Sequence, residues 1–260
     1  MAEGIVKGGS FLIESVDPED IFAPEDMNDD QKLLARITEE FLRGEVEPLI
    51  KELENKREGL MVELFKKSSK IGLLGVDIPA EFGGMGLNII NSLIITEKSF
   101  IGGPFALASL VNNTFGALPV VYFGNNEQRQ TYLPDLARGN KVGAFALTEP
   151  DAGTDSLNVR TKATLSKDGG YYVLNGEKQF ISNTGYADIF ITFAKIDGEK
   201  FTAFIVDRNS EGLSLGEEED KMGIRGTSTR SLILDDVKIP TKNLLFKIGE
   251  GHAVAFNTLN

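Results

Sequence analysis

The sequence predicts an α+β multidomain chain, with an all-α N-terminal domain followed by an antiparallel β-barrel or β-sandwich middle domain. A third, C-terminal helical domain opens and reads as truncated. Three observations carry this prediction. Apolar residues recur at helical spacing between 29 and 141. From about 142 they alternate with period two between Gly- and Asp-rich turns. From 248 a helix-like pattern resumes and stops at Asn260. The predicted boundaries are an arm over 1–28, a helical domain over 29–141, a β-domain over 142–247 and the start of the third domain over 248–260.

Composition supports a globular chain. Of 260 residues, 41% are hydrophobic and 25% charged, enough to bury a sizeable core. The absence of Cys excludes disulfides, thiolate nucleophiles and Cys-based metal sites. The single His252 argues against a His-rich metal centre. A net charge of −12 argues against nucleic acid as a partner, since that needs a basic face. The first 35 residues are acidic, lack Arg and lack a continuous apolar run, so neither a transit peptide nor a secretory signal is read there. No window approaches the roughly 18 apolar residues expected of a membrane helix. These features predict a cytoplasmic chain.

Taken in order, Asn28-Asp-Asp30 is an N-cap cluster ahead of Leu33, Leu34, Ile37, Phe41 and Leu42. The stripe continues through Val46, Leu49, Ile50 and Leu53, with Pro48 as a kink or break. Leu60, Leu64, Phe65 and Ile71 mark a helix ending near Gly72. The glycine-rich 75–87 segment lacks the Gly-Lys-Ser/Thr of a phosphate loop and reads as a tight interhelical connection. Further helices are predicted over about 88–101, 105–117 and 126–138. In the β-domain, 166–170 and 197–200 are hairpin turns, and Ile189 to Ile196, Phe201 to Val206 and Ser231 to Val237 are strands. The final Val254, Ala255 and Leu259 form an apolar face with no evident partner.

Two stretches carry the chemistry. In Phe145-Ala-Leu-Thr-Glu-Pro-Asp-Ala-Gly-Thr154, a short apolar strand runs into Pro150 and Gly153, which break it. Backbone N–H groups and the hydroxyls of Thr148 and Thr154 are left without ladder partners. In Gly176-Glu-Lys-Gln-Phe-Ile-Ser-Asn-Thr-Gly185, Phe180 and Ser182 fall on one side of an extended strand. An aromatic plane and a hydroxyl facing free donors suit a flat, polar-edged ring, and the two stretches together are read as a flavin cradle.

These residues resemble the acyl-CoA dehydrogenase family. Thr148-Glu-Pro-Asp-Ala-Gly-Thr-Asp155 is similar to the family's T-E-P-x-x-G-S-D segment, and Gly176-Glu-Lys-Gln-Phe-Ile-Ser-Asn183 to its G-x-K-x-W-I-T/S-N segment. Pro79 to Leu87, Glu127-Gln with Tyr132-Leu-Pro134, Lys221-Met-Gly-Ile-Arg225 and the segment from Gly249 add matches in the same order. The likeness is greatest to the very-long-chain type and its bacterial fatty-acid-oxidation relatives. The resemblance implies FAD as cofactor and α,β-dehydrogenation of a fatty acyl-CoA in fatty-acid β-oxidation. It also implies an electron-transfer flavoprotein as partner, and a homodimer or tetramer formed through the C-terminal domain.

Carried over residue by residue, it places Phe145, Ala146, Leu147, Thr148, Gly153, Thr154, Phe180, Ile181 and Ser182 at the cofactor, with Thr154 also at the substrate. Phe180 stands where the family has Trp, and Thr154 where it has Ser. Asp151 puts a carboxylate where a small residue is usual. Glu149 and Asp155 are not read as the base, because the family's catalytic glutamate comes from the C-terminal domain, here expected beyond Asn260. The 260-residue piece is therefore expected to be inactive alone. An acyl-CoA oxidase of the same fold and a non-catalytic flavin or acyl-CoA binding module stand as alternatives.

Overall fold

The computed structural model describes residues 9–259; Met1–Gly8 of the predicted arm and Asn260 lie outside the described residues. The rest of the arm forms three 3-10 turns, Ser10–Leu12, Pro18–Asp20 and Pro24–Asp26.

The helical domain begins with α1, Asp29–Phe41. Asn28 accepts a bond from the Gln31 N–H while the Gln31 side chain accepts from the Asn28 N–H, so two donors at the helix start are satisfied reciprocally. The predicted kink begins before Pro48, as a π turn over Leu42–Val46 and a 3-10 turn over Glu47–Leu49. The chain returns to α-helix in α2, Ile50–Glu54. Then come α3 (Leu60–Ser69) and α4 (Ile89–Ser99). The glycine-rich 75–87 segment closes on itself, with Met85 N donating to Gly75 O and Leu87 N to Val76 O. At Gly84 a Cβ would lie 2.0 Å from Ile78 O, which explains the glycine there by close backbone approach. The segment is the interhelical connection that the sequence predicts.

The next helix runs past its predicted end at 117. It comprises α5 (Pro104–Leu110), a π turn (Val111–Ala117) and α6 (Leu118–Phe123). Pro119 lies inside this continuous helix directly after the π turn, and the break in regular α spacing there is what accommodates an interior proline that has no N–H to give. As a unit, Pro104–Phe123 is 20 residues long with a mean hydropathy of 1.3, and so reaches the length and polarity of a membrane span, contrary to the sequence expectation. More than half of it is buried against this protein, and Asn112 within it accepts from Gly143 N, as expected of a core helix. The last helix, α7 (Asn126–Ala137), has a second reciprocal cap between Asn125 and Gln128.

The β-domain contains β1 (Gly143–Ala146), β2 (Lys162–Leu165), β3 (Tyr171–Ser182), β4 (Ile189–Ile196), β5 (Lys200–Asp207), β6 (Leu213–Leu215), β7 (Thr229–Pro240) and β8 (Leu244–Leu245). They form one sheet in the order β6-β7-β3-β2-β4-β5-β8, with β1 on β4. The pairing is not wholly antiparallel: β1 and β2 both run parallel to β4. Parallel neighbours need a crossover, and the β2–β3 hairpin lies within the connection between β1 and β4. The β4–β5 connection is the three residues 197–199 between the paired Ile196 and Lys200, a tight turn with Asp197 and Gly198 both at positive φ and Glu199 N donating to Ile196 O.

Two cores meet at β4. Ile189, Ile191 and Phe193 face a core shared with α7, while Phe190, Ala194 and Ile196 face a core enclosed by the curved sheet. The Gln128 side chain donates to the carbonyls of Lys242 and Leu244, fixing α7 to the sheet edge. The final helix, α8 (Gly251–Leu259), is not unpartnered as predicted. Val254 and Ala255 are buried in the core shared with α7, while Phe256 and Leu259 remain partly exposed.

Candidate functional site at the domain seam

Both motif stretches reach one open cavity of ≈ 520 Å³ between the helical and β-domains. Of the nine residues predicted at the cofactor, eight line it: Phe145, Leu147, Thr148, Gly153, Thr154, Phe180, Ile181 and Ser182. Ala146 does not. Side chains alternate along β1, so Phe145 points to the cavity side while Ala144 and Ala146 are buried in the sheet-enclosed core.

The predicted one-sided strand from Phe180 to Ser182 also needs correction. The β3–β7 register shifts between Lys178 and Ile181, and Phe180 has φ 59, in the left-handed region. For an aromatic residue that backbone costs on the order of 1–3 kcal/mol, and such strain clusters at ligand sites. The bulge brings Phe180, Ile181 and Ser182 to the same cavity, where strict alternation would turn Ile181 away.

A buried ion pair holds the two stretches together. Lys178 Nζ lies 2.7 Å from Glu149 Oε1, with both side chains almost wholly removed from solvent, and also donates to Leu147 O at 3.3 Å. Glu149 accepts further bonds from the N–H groups of Arg160 and Thr161 and from the Thr161 hydroxyl. Gln179 N donates to Thr148 O at 2.9 Å, a direct backbone tie. Burial opposes charge on both partners and pushes Lys178 from 10.5 down to about 8. For Glu149 burial is outweighed by the Lys178 charge and the bonds from Lys178, Thr161 and Arg160, which hold its carboxyl below the usual 4.5. Glu149 is thus fully engaged in structure. The sequence reading sets it aside as a base but does not find Lys178, whose partner is 29 residues away.

Other residues behave as ion pairs and caps. Asp151, flagged in the sequence for its charge, pairs outside the cavity with Arg160 at 2.8 Å. Arg230 pairs with Glu218 at 2.7 Å, and Arg225 donates to Lys221 O. His252 lies exposed beside Glu250.

Several lining residues are not recognised in the sequence: Leu107, Val111 and Phe115 on the long helix, Ser156, and Phe256 and Leu259 on α8. Leu107, Val111 and Phe115 are spaced by four. An α-helix would rotate such a set by about 40° per step, and the wider π turn over Val111–Ala117 offsets that drift. The helical stripe was visible as apolar periodicity, but periodicity does not separate a core face from a cavity face. Thr148, Thr154, Ser156 and Ser182 therefore bring four hydroxyls to an otherwise largely apolar cavity, and no carboxylate lines it among the described residues.

Fold and cavity together define a two-domain protein with a candidate ligand site at the seam, lined by hydroxyls and aromatic faces. Residues 28–140 match the description of the acyl-CoA dehydrogenase N-terminal domain, and residues 144–237 that of the middle domain. A probable acyl-CoA dehydrogenase of Bacillus subtilis (strain 168) is 49% identical over 259 residues, covering 100% of this chain and 44% of that protein. A crystal structure of an acyl-CoA dehydrogenase complexed with FAD from Bacillus anthracis superposes with a TM-score of 0.95 at 48% identity, over 98% of this chain and 44% of that one. Butyryl-CoA dehydrogenase from Megasphaera elsdenii gives a TM-score of 0.84 at 33% identity, over 90% of this chain and 63% of its own. The chain belongs to the acyl-CoA dehydrogenase family. It spans less than half the length of the two Bacillus relatives.

Proposed function

We propose that the protein to which this chain belongs is an FAD-dependent dehydrogenase that introduces an α,β double bond into fatty acyl-CoA thioesters. Residues 9–259 supply one wall of its site. The observation that carries the reading is the convergence of both motif stretches on one cavity, locked together by Glu149–Lys178.

The donor set fits a flavin. Phe145, Leu147 and Phe180 offer apolar faces for a ring system, and Thr148 and Ser182 offer hydroxyls for its polar edge. At Gly153 a Cβ would meet nothing within 4 Å, so the loop is open to a ligand. Thr154 serves cofactor and acyl-CoA alike, and Ala146 takes no part at the cavity. Bound there, the flavin supplies the two-electron redox chemistry that side chains lack. Donors preorganised at its polar edge stabilise negative charge as it develops. General-base removal of the α-proton needs a group within hydrogen-bond reach. In this reading that base comes from outside residues 9–259, and this piece alone does not turn over. Electrons leave to an electron-transfer flavoprotein, and the protein acts in the cytoplasm.

The test is anaerobic titration of the full-length, FAD-loaded protein with acyl-CoA thioesters of increasing chain length. The yellow absorbance is expected to bleach with at least the longer chains. No bleaching at any length would overturn the reading.

A further inference from the structure

No charged side chain lines the cavity among the described residues, although a flavin held there gains negative charge when it is reduced. A fixed positive charge stands directly behind its wall. The buried Lys178 ammonium bonds to Leu147 O at 3.3 Å and to Glu149 Oε1 at 2.7 Å. Lys178 does not line the cavity itself, whereas Leu147 and Thr148 do.

The peptide between Leu147 and Thr148 is the link. It is trans, so its carbonyl and its N–H point in opposite directions. The carbonyl is held by Lys178, and the Thr148 N–H finds no acceptor among the described residues. A carbonyl bonded to a cation polarises its peptide and strengthens the donor at the other end. The ion pair is also oriented. Its positive end touches Leu147 O, while its negative end is occupied by the N–H groups of Arg160 and Thr161 and by the Thr161 hydroxyl. Joining the two stretches does not by itself require these charges. Gln179 N already bonds Thr148 O at 2.9 Å, and a buried ion pair is often no more stable than apolar residues of the same volume.

We propose that Lys178 is a positioning residue for the redox step: through the Leu147–Thr148 peptide it makes the Thr148 N–H a charge-assisted donor that favours reduced over oxidised flavin. This rests on the FAD reading above and adds which residue sets the potential of the cofactor. A hydride from the acyl chain brings two electrons and one proton, leaving one negative charge on the ring, while the α-proton goes to the base. The Thr148 N–H meets the charge so gained.

The test is anaerobic titration of the full-length, FAD-loaded protein with dithionite against an indicator dye, at pH 7 and without acyl-CoA. Lys178, pushed down to about 8, still carries its proton there. The paired variant Glu149→Gln/Lys178→Met strands no charge. It is expected to lose about ten-fold in its preference for reduced flavin, a fall of ~30 mV in the two-electron potential. Its affinity for oxidised FAD is expected to stay near that of the wild type. Lys178→Gln keeps a donor and much of the side-chain length, and is expected to show a comparable fall even if the paired variant does not fold. A purely structural role would weaken both forms of the cofactor equally and leave the potential where it was. A protein that holds no flavin even as wild type would speak against the FAD reading. A yellow protein whose potential is unmoved in either folded variant would overturn this proposal.

Discussion

Glu149 and Glu218 are both partly or wholly withdrawn from water and both held by Lys or Arg, yet they stabilise the molecule in different ways. Glu149 lies inside the β-domain against a single ammonium, Lys178, in a nearly dry setting. Glu218 lies at the junction of the two domains and spreads its charge over several donors. It meets Lys56 of the helical domain at 3.1 Å and Arg230 at 2.7 Å, and accepts from the Ser228 hydroxyl and Thr229 N. A dry one-to-one pair is costly to break because the surviving charge has no solvent. A wetter cluster can lose one member and share the rest. The first fixes the geometry of two motif stretches beside the cavity; the second fixes one domain against the other.

The largest effect expected from this contrast is at Lys178. Lys178→Met leaves Glu149 buried and uncompensated, and should cost about 3–5 kcal/mol of unfolding free energy by urea denaturation. Adding Glu149→Gln should return much of that loss, because the stranded charge is gone. A double variant no more stable than the single would show that packing, not charge, dominates there.

Acid should act next, and chiefly on Glu218. Burial works against its charge, but the bonds from Ser228, Arg230, Lys56 and Thr229 hold its carboxyl down to about 2, from 4.5. A depressed folded value means the contribution is fully present above pH 4.5 and is lost as pH falls through about 2, with Glu149 adding in the same direction. The full Glu218 contribution is about 3 kcal/mol by linkage. Denaturation midpoints measured between pH 6 and pH 3 should fall, and should fall less steeply in Glu218→Gln. Equal slopes would remove Glu218 from the account.

Lys56→Gln should have the smallest effect, about 1 kcal/mol or less, because Lys56 is a third exposed and Glu218 keeps its other partners. A loss as large as that of Lys178→Met would mean that the junction is as dry as the β-domain interior.

The same contrast explains what was legible in the sequence. Phe145 to Thr154 and Phe180 to Ser182 stand out because Pro150, Gly153 and the unladdered hydroxyls break a local strand pattern. The helical and β-domains follow from the switch in period. Contacts that join distant segments leave no local signature. Lys178 reads as an ordinary strand lysine until Glu149 is folded against it, and the parallel pairing of β1 and β2 with β4 depends on a crossover that no turn residue announces. Ala146 and Ile181 show both sides of local reasoning. Simple alternation would have removed Ala146 from the cavity, whereas Ile181 reaches it only through the bulge at Phe180. Leu107, Val111 and Phe115 look like core because a cavity wall and a core face share one spacing.

On the proposed function, the hydroxyls brought together by the two motif stretches hold FAD. The most direct test of this is the FAD dissociation constant of full-length apoprotein, measured by flavin fluorescence for Thr148→Val and Ser182→Ala beside Thr131→Val, an exposed threonine on α7 whose hydroxyl bonds only within its own helix. Each cavity variant should bind FAD about ten-fold more weakly, the loss of roughly one hydrogen bond to the cofactor, with Thr131→Val unchanged. Wild-type affinity in both cavity variants would contradict the placement of the flavin in this cavity.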